Sequence, residues 1–168
     1  FIGMYAACAT SSLVIGQAAM WIEQGYAKQA LAFTSSHVAT AERQFRYPNE
    51  YGVQKKATTT STVTGAGAVL LSAQPSKIRV SAFTPGKICD WNYSDANDMG
   101  VAMAPAAYDT LNRHFQSTNT DFKDYDLIAT GDLSQLGFSF LMDLLYQDEH
   151  PVEHRLHDCG LMIYDTSE

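Results

Sequence analysis

The sequence has little positive charge, few cysteines and no long hydrophobic run, and each shortage excludes a class of protein. Lys and Arg total 11 against 18 Asp and Glu, which gives a formal net charge of -7. No basic stripe is present to neutralise a phosphate backbone, so nucleic acid is not an expected partner. The longest apolar runs fall well short of the roughly 20 residues that span a bilayer. Any membrane association is therefore expected to be peripheral.

The number and spacing of the cysteines indicate the redox state of the cellular compartment. Cys8, Cys89 and Cys159 are odd in number and far apart in the chain. This spacing does not predict a disulfide framework, and it fits a reducing compartment.

What is present is the composition of a folded protein. The chain has 168 residues, of which 46% are hydrophobic and 17% charged, as expected for a globular domain with a buried core. One domain is expected at this length, because domains commonly have about 100–150 residues. The chain opens with Phe1, Ile2 and Gly3 and no polar lead-in, so we expect an internal fragment of a longer protein.

Local patterns predict a mixture of helices and strands. Helices are predicted at Ser11–Gln24, Met103–His114 and Ser134–Gln147, and strands at Lys28–Ser35, Val63–Ala73, Ile78–Thr84, Tyr125–Thr130 and Gly160–Tyr164. The strands Val63–Ala73 and Ile78–Thr84 are expected to be antiparallel neighbours, and Pro105 is expected in the first turn of its helix. His37–Thr62 is polar and weakly periodic, which predicts a long surface excursion. The order predicts the α/β class with antiparallel additions.

α/β proteins commonly carry catalytic or binding residues where a helix begins or a strand ends, and this pattern has two such places. Cys8 lies among small residues just before an apolar helix. The positive end of that helix would lower a thiol pKa and provide N–H groups for an oxyanion. The alternative is a small buried cysteine in a tight turn. Ser35, Ser36 and His37 follow the first predicted strand, where His37 is a site residue or a neutral histidine bonded to backbone.

Other patterns carry weaker signals. His150, His154 and His157 lie within ten residues of one another, but Pro151 argues against the single helix that would align them as metal ligands. Gly65 and Gly67 do not complete a dinucleotide-binding motif. The scattered aspartates lack the spacing of a calcium-binding hand. No metal site and no cofactor are expected in the chain itself.

Several strings resemble the thiolase and ketoacyl-synthase superfamily, and in particular a thiolase-fold family of spore-forming bacteria. They are Cys8 before its helix, VTGAGAVL at 63–70, TSSH at 34–37, AERQFRYP at 41–48, NDMGVAMAPAA at 97–107 and YDLIATGDL at 125–133. The resemblance implies a layered αβαβα fold of two similar halves. Residues 1–168 would form part of one such domain, with the later part of the first half and the earlier part of the second. It also implies a homodimer with Lys28–Phe33 near the two-fold contact.

The enzymes of this superfamily place a His or Asn after a strand like Asp126–Thr130, whereas this chain has Gly131 and Asp132 there. An ionised Asp132 near Cys8 would oppose thiolate formation. The resemblance therefore implies a binding protein. The alternative is a Cys8-dependent acyltransferase or thiolase-type enzyme acting on acyl thioesters.

The ligand that the resemblance implies is dipicolinic acid, free or as its calcium chelate, taken up into the developing spore. We expect the ligand-binding residues to be Cys8, Ser35, Ser36, His37, Arg43, Arg46 and Asp132. Arg43 and Arg46 are the nearest cations in sequence, and a solvated surface turn is their alternative. The expected location is peripheral, on the cytoplasmic side of the forespore inner membrane, beside membrane-bound proteins of the same transport complex.

Overall fold

The computed structural model describes residues 1–37, 56–60, 64–150 and 152–163. The chain divides into two compact units, of which the first comprises Phe1–Ala41 and Val63–Pro85 and the second Glu42–Thr62 and Gly86–Glu168. Most of the predicted surface excursion, including Arg43 and Arg46, lies outside the described residues. Helices and strands occur in both units, which confirms the α/β class.

The first unit packs one helix against a two-stranded sheet. Helix α1 spans Thr10–Glu23, close to its predicted bounds, and the chain leaves it through Gly25 at a φ of 76°, a conformation that glycine adopts without strain. Strands β1 (Gln29–Ser36) and β2 (Gly65–Ser72) pair antiparallel over all eight residues.

The predicted pairing of Val63–Ala73 with Ile78–Thr84 is wrong. Residues 78–84 form no strand, and β1 takes the place of that partner. Strand propensity does not specify a partner. The register with β1 sets Leu31 opposite Leu70 and Ala32 opposite Val69, so apolar side chains meet across the pair.

The second unit begins with a helix that is longer than predicted. Helix α2 spans Met99–Thr118, and the Asp98 carboxylate caps it by accepting the Val101 N–H at 3.1 Å. Pro105 therefore lies inside the helix and is buried, which corrects its predicted place in the first turn. The prediction gave the proline too much weight as a start signal and overlooked the stronger N-cap.

A strand–helix–strand unit follows. Strand β3 (Ile128–Thr130) leads into α3 (Ser134–Gln147), which has the predicted bounds, and β4 (Leu156–Asp158) returns parallel to β3. The predicted strand Gly160–Tyr164 is wrong in its described part, because residues 159–163 form turns.

Helices α2 and α3 pack together over the core of the second unit. Its fully buried apolar side chains include Phe122, Leu141, Leu145 and Val152. Phe122 packs against Phe115 with ring centroids 4.8 Å apart and the two rings tilted by 58°. This core holds the ends of β3 and β4 in place.

Candidate functional site

The turn that carries Cys8 is held by the first residue of α1. Cys8 lies in a 3-10 turn, Ala7–Ala9, and is exposed. The Thr10 hydroxyl donates to the Ala7 carbonyl at 2.7 Å and accepts the Ala6 N–H at 2.9 Å. Cys8 therefore stands at the entrance to α1 and is not the buried cysteine of the alternative interpretation. Its role as a ligand contact stays a prediction.

The predicted residues Ser35, Ser36 and His37 lie at the end of β1. Successive side chains of a strand point to opposite faces, so the two serines are separated. Ser36 shares the less exposed face with buried Ala32, whereas Ser35 lies on the exposed face and His37 is exposed just beyond the strand. Because α1 packs against β1, Ser36 is the serine placed on the same side of the sheet as α1.

Asp132 lies in the second unit, in the turn between β3 and α3. Parallel strands have their carboxyl ends at one edge, and such edges commonly carry the sites of α/β proteins. Asp132 is only 7% exposed. Its Oδ1 accepts the backbone N–H of Ser134 at 3.0 Å. The turn thus presents a buried carboxyl group beside the first residue of α3.

Asp158 is a second carboxyl group at this edge, and the sequence analysis missed it. Its side chain is 2% exposed. Oδ2 accepts the Leu133 N–H at 2.8 Å and the Thr130 hydroxyl at 2.9 Å. Oδ1 accepts the N–H groups of Gly160 at 2.9 Å and Leu161 at 3.1 Å. One carboxyl group therefore joins the turn after β3 to the turn after β4.

Burial raises the pKa of the Asp158 carboxyl group, because the charged form loses its hydration. Hydrogen bonds from Leu133, Leu161 and Thr130 oppose that shift, and the nearby charge of Asp132 adds to it.

The two turns are packed too closely for an added methyl group. A Cβ at Gly160 would overlap the carboxyl group of Asp132, and a Cβ at Gly100 would overlap the carbonyl of Leu133. Glycine is required at Gly100, where the overlap is with backbone, whereas a larger residue at Gly160 would displace the Asp132 side chain.

Comparison with known proteins identifies the chain. The family model described as Stage V sporulation protein AD (SpoVAD) matches residues 1–168. The chain belongs to the SpoVAD family. Stage V sporulation protein AD of Bacillus subtilis (strain 168) is 52% identical over 168 residues, which are 100% of this chain and 50% of the relative. The chain thus spans about half the length of that relative, and the predicted resemblance to a sporulation family is confirmed.

Within the SpoVAD chain, the predicted site residues fall in both units. Cys8, Ser35, Ser36 and His37 belong to the first and Asp132 to the second. Arg43 and Arg46 are outside the described residues. No signal in the sequence marked Asp158, because its strand is only three residues long and the strand prediction fell on Gly160–Tyr164.

The histidines at positions 150–157 form contacts that do not involve the predicted site residues. His150 Nε2 lies 3.0 Å from Asn112 Oδ1, and His157 Nε2 lies 2.9 Å from the His154 carbonyl. Over residues 1–37, 56–60, 64–150 and 152–163, no three His, Cys, Asp or Glu side chains are grouped to hold a metal ion. In the same ranges, no helix combines the length and apolar character needed to cross a membrane.

Proposed function

We propose that the full-length protein binds dipicolinic acid, free or as its calcium chelate, without catalysing a reaction, for uptake into the developing spore. Membership of the SpoVAD family supports the sporulation role. We propose that the full-length protein has a layered thiolase-like fold and forms a homodimer. We place it peripherally at the cytoplasmic side of the forespore inner membrane, beside membrane-bound partners of the same transport complex.

The observation that carries this proposal is the turn after β3. By resemblance, a condensing enzyme needs a His or Asn at this position to move protons and bind the thioester oxygen. This chain has Asp132, a buried carboxyl group that accepts the Ser134 N–H. A carboxylate is a poor donor for an oxyanion, so the residue favours binding over acyl transfer.

The proposed ligand suits the chemistry of the predicted residues. Dipicolinic acid is a flat ring with two carboxylates. Hydroxyl groups such as that of Ser36, the N–H groups ahead of α1 and the guanidinium groups of Arg43 and Arg46 are typical partners of carboxylates. Asp132 would repel a free dicarboxylate but can supply an oxygen to calcium. We therefore expect Asp132 to favour the calcium chelate.

Calorimetric titration of the full-length protein with dipicolinic acid, with and without calcium, tests the proposal. We expect saturable binding that Cys8→Ala weakens, since the substitution changes the turn at the entrance to α1. Cys89→Ala is the matched control, because Cys89 lies in the second unit and is not one of the predicted ligand-binding residues. An absence of binding by the wild-type protein, or equal affinity in the Cys8→Ala protein, would contradict the proposal.

An acyltransferase is the second candidate, and the exposure of Cys8 just before α1 favours it. In such an enzyme the Cys8 sulfur bonds to the thioester carbonyl carbon, and the carbon–sulfur bond to coenzyme A breaks. The coenzyme A thiolate leaves and takes up a proton. Intact-mass measurement after incubation with acyl-coenzyme A would then reveal an acyl adduct that Cys8→Ala abolishes. Dipicolinate binding with no adduct favours the binding protein.

A further inference from the structure

The Asp158 carboxyl group is the point at which the two turns at the carboxyl edge of β3 and β4 meet. Its two oxygens accept four hydrogen bonds at 2.8 to 3.1 Å, two from Thr130 at the end of β3 and Leu133 in the turn after it, and two from Gly160 and Leu161 in the other turn. It makes these bonds while 2% exposed. Its hydrogen-bonding capacity is used within the protein, which is the arrangement of a structural tie and not of a group that contacts a ligand.

We propose that Asp158 is a positioning residue that fixes Asp132 for the binding of the calcium chelate of dipicolinic acid, an inference that rests on the proposed function. Neither aspartate alone makes this site. Asp132 is the predicted ligand contact, and Asp158 acts through the backbone next to it.

The Leu133 N–H is the link between the two aspartates. It belongs to the planar peptide group that joins Asp132 to Leu133. Holding this N–H at 2.8 Å from Asp158 Oδ2 fixes the rotation of that peptide group. The fixed peptide group and the bond from the Ser134 N–H to Asp132 Oδ1 at 3.0 Å together limit the orientations of the Asp132 side chain.

The second turn limits Asp132 from the other side. A Cβ at Gly160 would overlap the Asp132 carboxyl group, so the backbone of this turn lies directly against it. Asp158 Oδ1 holds the Gly160 N–H at 2.9 Å. The Asp158 carboxyl group therefore holds both the peptide group between Asp132 and Leu133 and the Gly160 backbone that lies against Asp132.

Asparagine at 158 cannot accept all four of these hydrogen bonds, because its side-chain amide has one acceptor oxygen and one donor NH2 group. Whichever turn faces its NH2 group loses an acceptor for a backbone N–H. We expect the Asp158→Asn protein to bind dipicolinic acid in the presence of calcium about tenfold more weakly, because an Asp132 side chain that is held less firmly must be ordered when the chelate binds.

Two control variants of the full-length protein separate positioning from general loss of stability. Asp126→Asn makes the same chemical change at an exposed residue two positions before β3. Leu145→Ala weakens the core of the same unit, where Leu145 is fully buried, without touching the tie. Calorimetry measures affinity for dipicolinic acid with calcium, and amide hydrogen exchange reports on the N–H groups of Leu133 and Gly160.

The inference predicts weaker binding in the Asp158→Asn protein alone, together with faster exchange that is confined to the neighbourhood of Leu133 or Gly160. Leu145→Ala is expected to speed exchange across the whole unit while the affinity stays near that of the wild type. Wild-type affinity in the Asp158→Asn protein would overturn the inference and leave the proposed function standing. An equal loss in the Leu145→Ala protein would also overturn it. If the wild-type protein does not bind, the proposed function fails and this inference fails with it.

Discussion

Replacing Asp158 by Asn is expected to destabilise the second unit by an amount that depends on pH. The less costly orientation points the amide oxygen at the N–H groups of Gly160 and Leu161. The NH2 group then faces Thr130 and Leu133, the partners of Oδ2. The Thr130 hydroxyl can rotate to accept, but the Leu133 N–H cannot. One buried unpaired N–H costs about 1–3 kcal/mol in the free energy of unfolding.

The pH dependence follows from the raised pKa of Asp158. Burial, assisted by the charge of Asp132, raises this pKa above the usual 3.8. The folded protein then binds the proton more tightly than the unfolded chain, so ionisation lowers stability as pH rises from 3.8 through the folded pKa. The protonated carboxyl group loses no partner, because its O–H donates to Thr130 while the same oxygen accepts from Leu133. The wild-type advantage over Asp158→Asn is therefore largest at acidic pH and decreases toward neutral pH.

Denaturant unfolding of the full-length wild-type and Asp158→Asn proteins, repeated at several pH values from about 4 to 8, measures this difference. Asp126→Asn serves as the control, since an exposed aspartate is expected to change stability by no more than about 0.5 kcal/mol. Equal stability of the wild-type and Asp158→Asn proteins at acidic pH would refute the hydrogen-bond argument. A difference that increases with pH would refute the direction of the pKa shift.

Two further substitutions test the packing of the second unit. Phe122→Ala removes a fully buried ring that packs on Phe115. We expect the free energy of unfolding, measured with denaturant, to fall by about 3–5 kcal/mol. A decrease below about 1 kcal/mol would contradict the described core. Asp98→Ala removes the cap of α2, which bonds the Val101 N–H, and is expected to cost about 0.5–2 kcal/mol. Asp98→Asn is its control, because asparagine also caps helices, and an equal loss in both would show that the cap is not the cause.

Elements with strong local signals were predictable from the sequence. The bounds of α3 and the end of α1 at Gly25 follow from periodicity and from helix-stop chemistry. The partner of β2 was not predictable, because antiparallel pairing depends on residues far away in the chain. The strand at Leu156–Asp158 was missed because three residues are too few for an alternating pattern.

The candidate site was predictable only where a residue type signals chemistry by itself. Cys8 was selected from its place before a helix and Asp132 through the family resemblance, and both stay predictions as site residues. The separation of Ser35 and Ser36 onto opposite faces depends on the strand register, which shifts every side chain when it moves by one residue. Asp158 could not be assigned, because its importance comes from backbone N–H groups in two turns that the sequence does not bring together.

The antiparallel pairing of β1 with β2 has a consequence for synthesis. About thirty residues separate the two strands in the chain. At about 5–20 residues per second, a ribosome needs on the order of 2 to 6 seconds to add them. During that interval β1 lacks its partner β2, and the backbone groups that later pair with β2 are unpaired. A nascent chain of this family is therefore open to aggregation at this strand edge after β1 has emerged and before β2 has followed it.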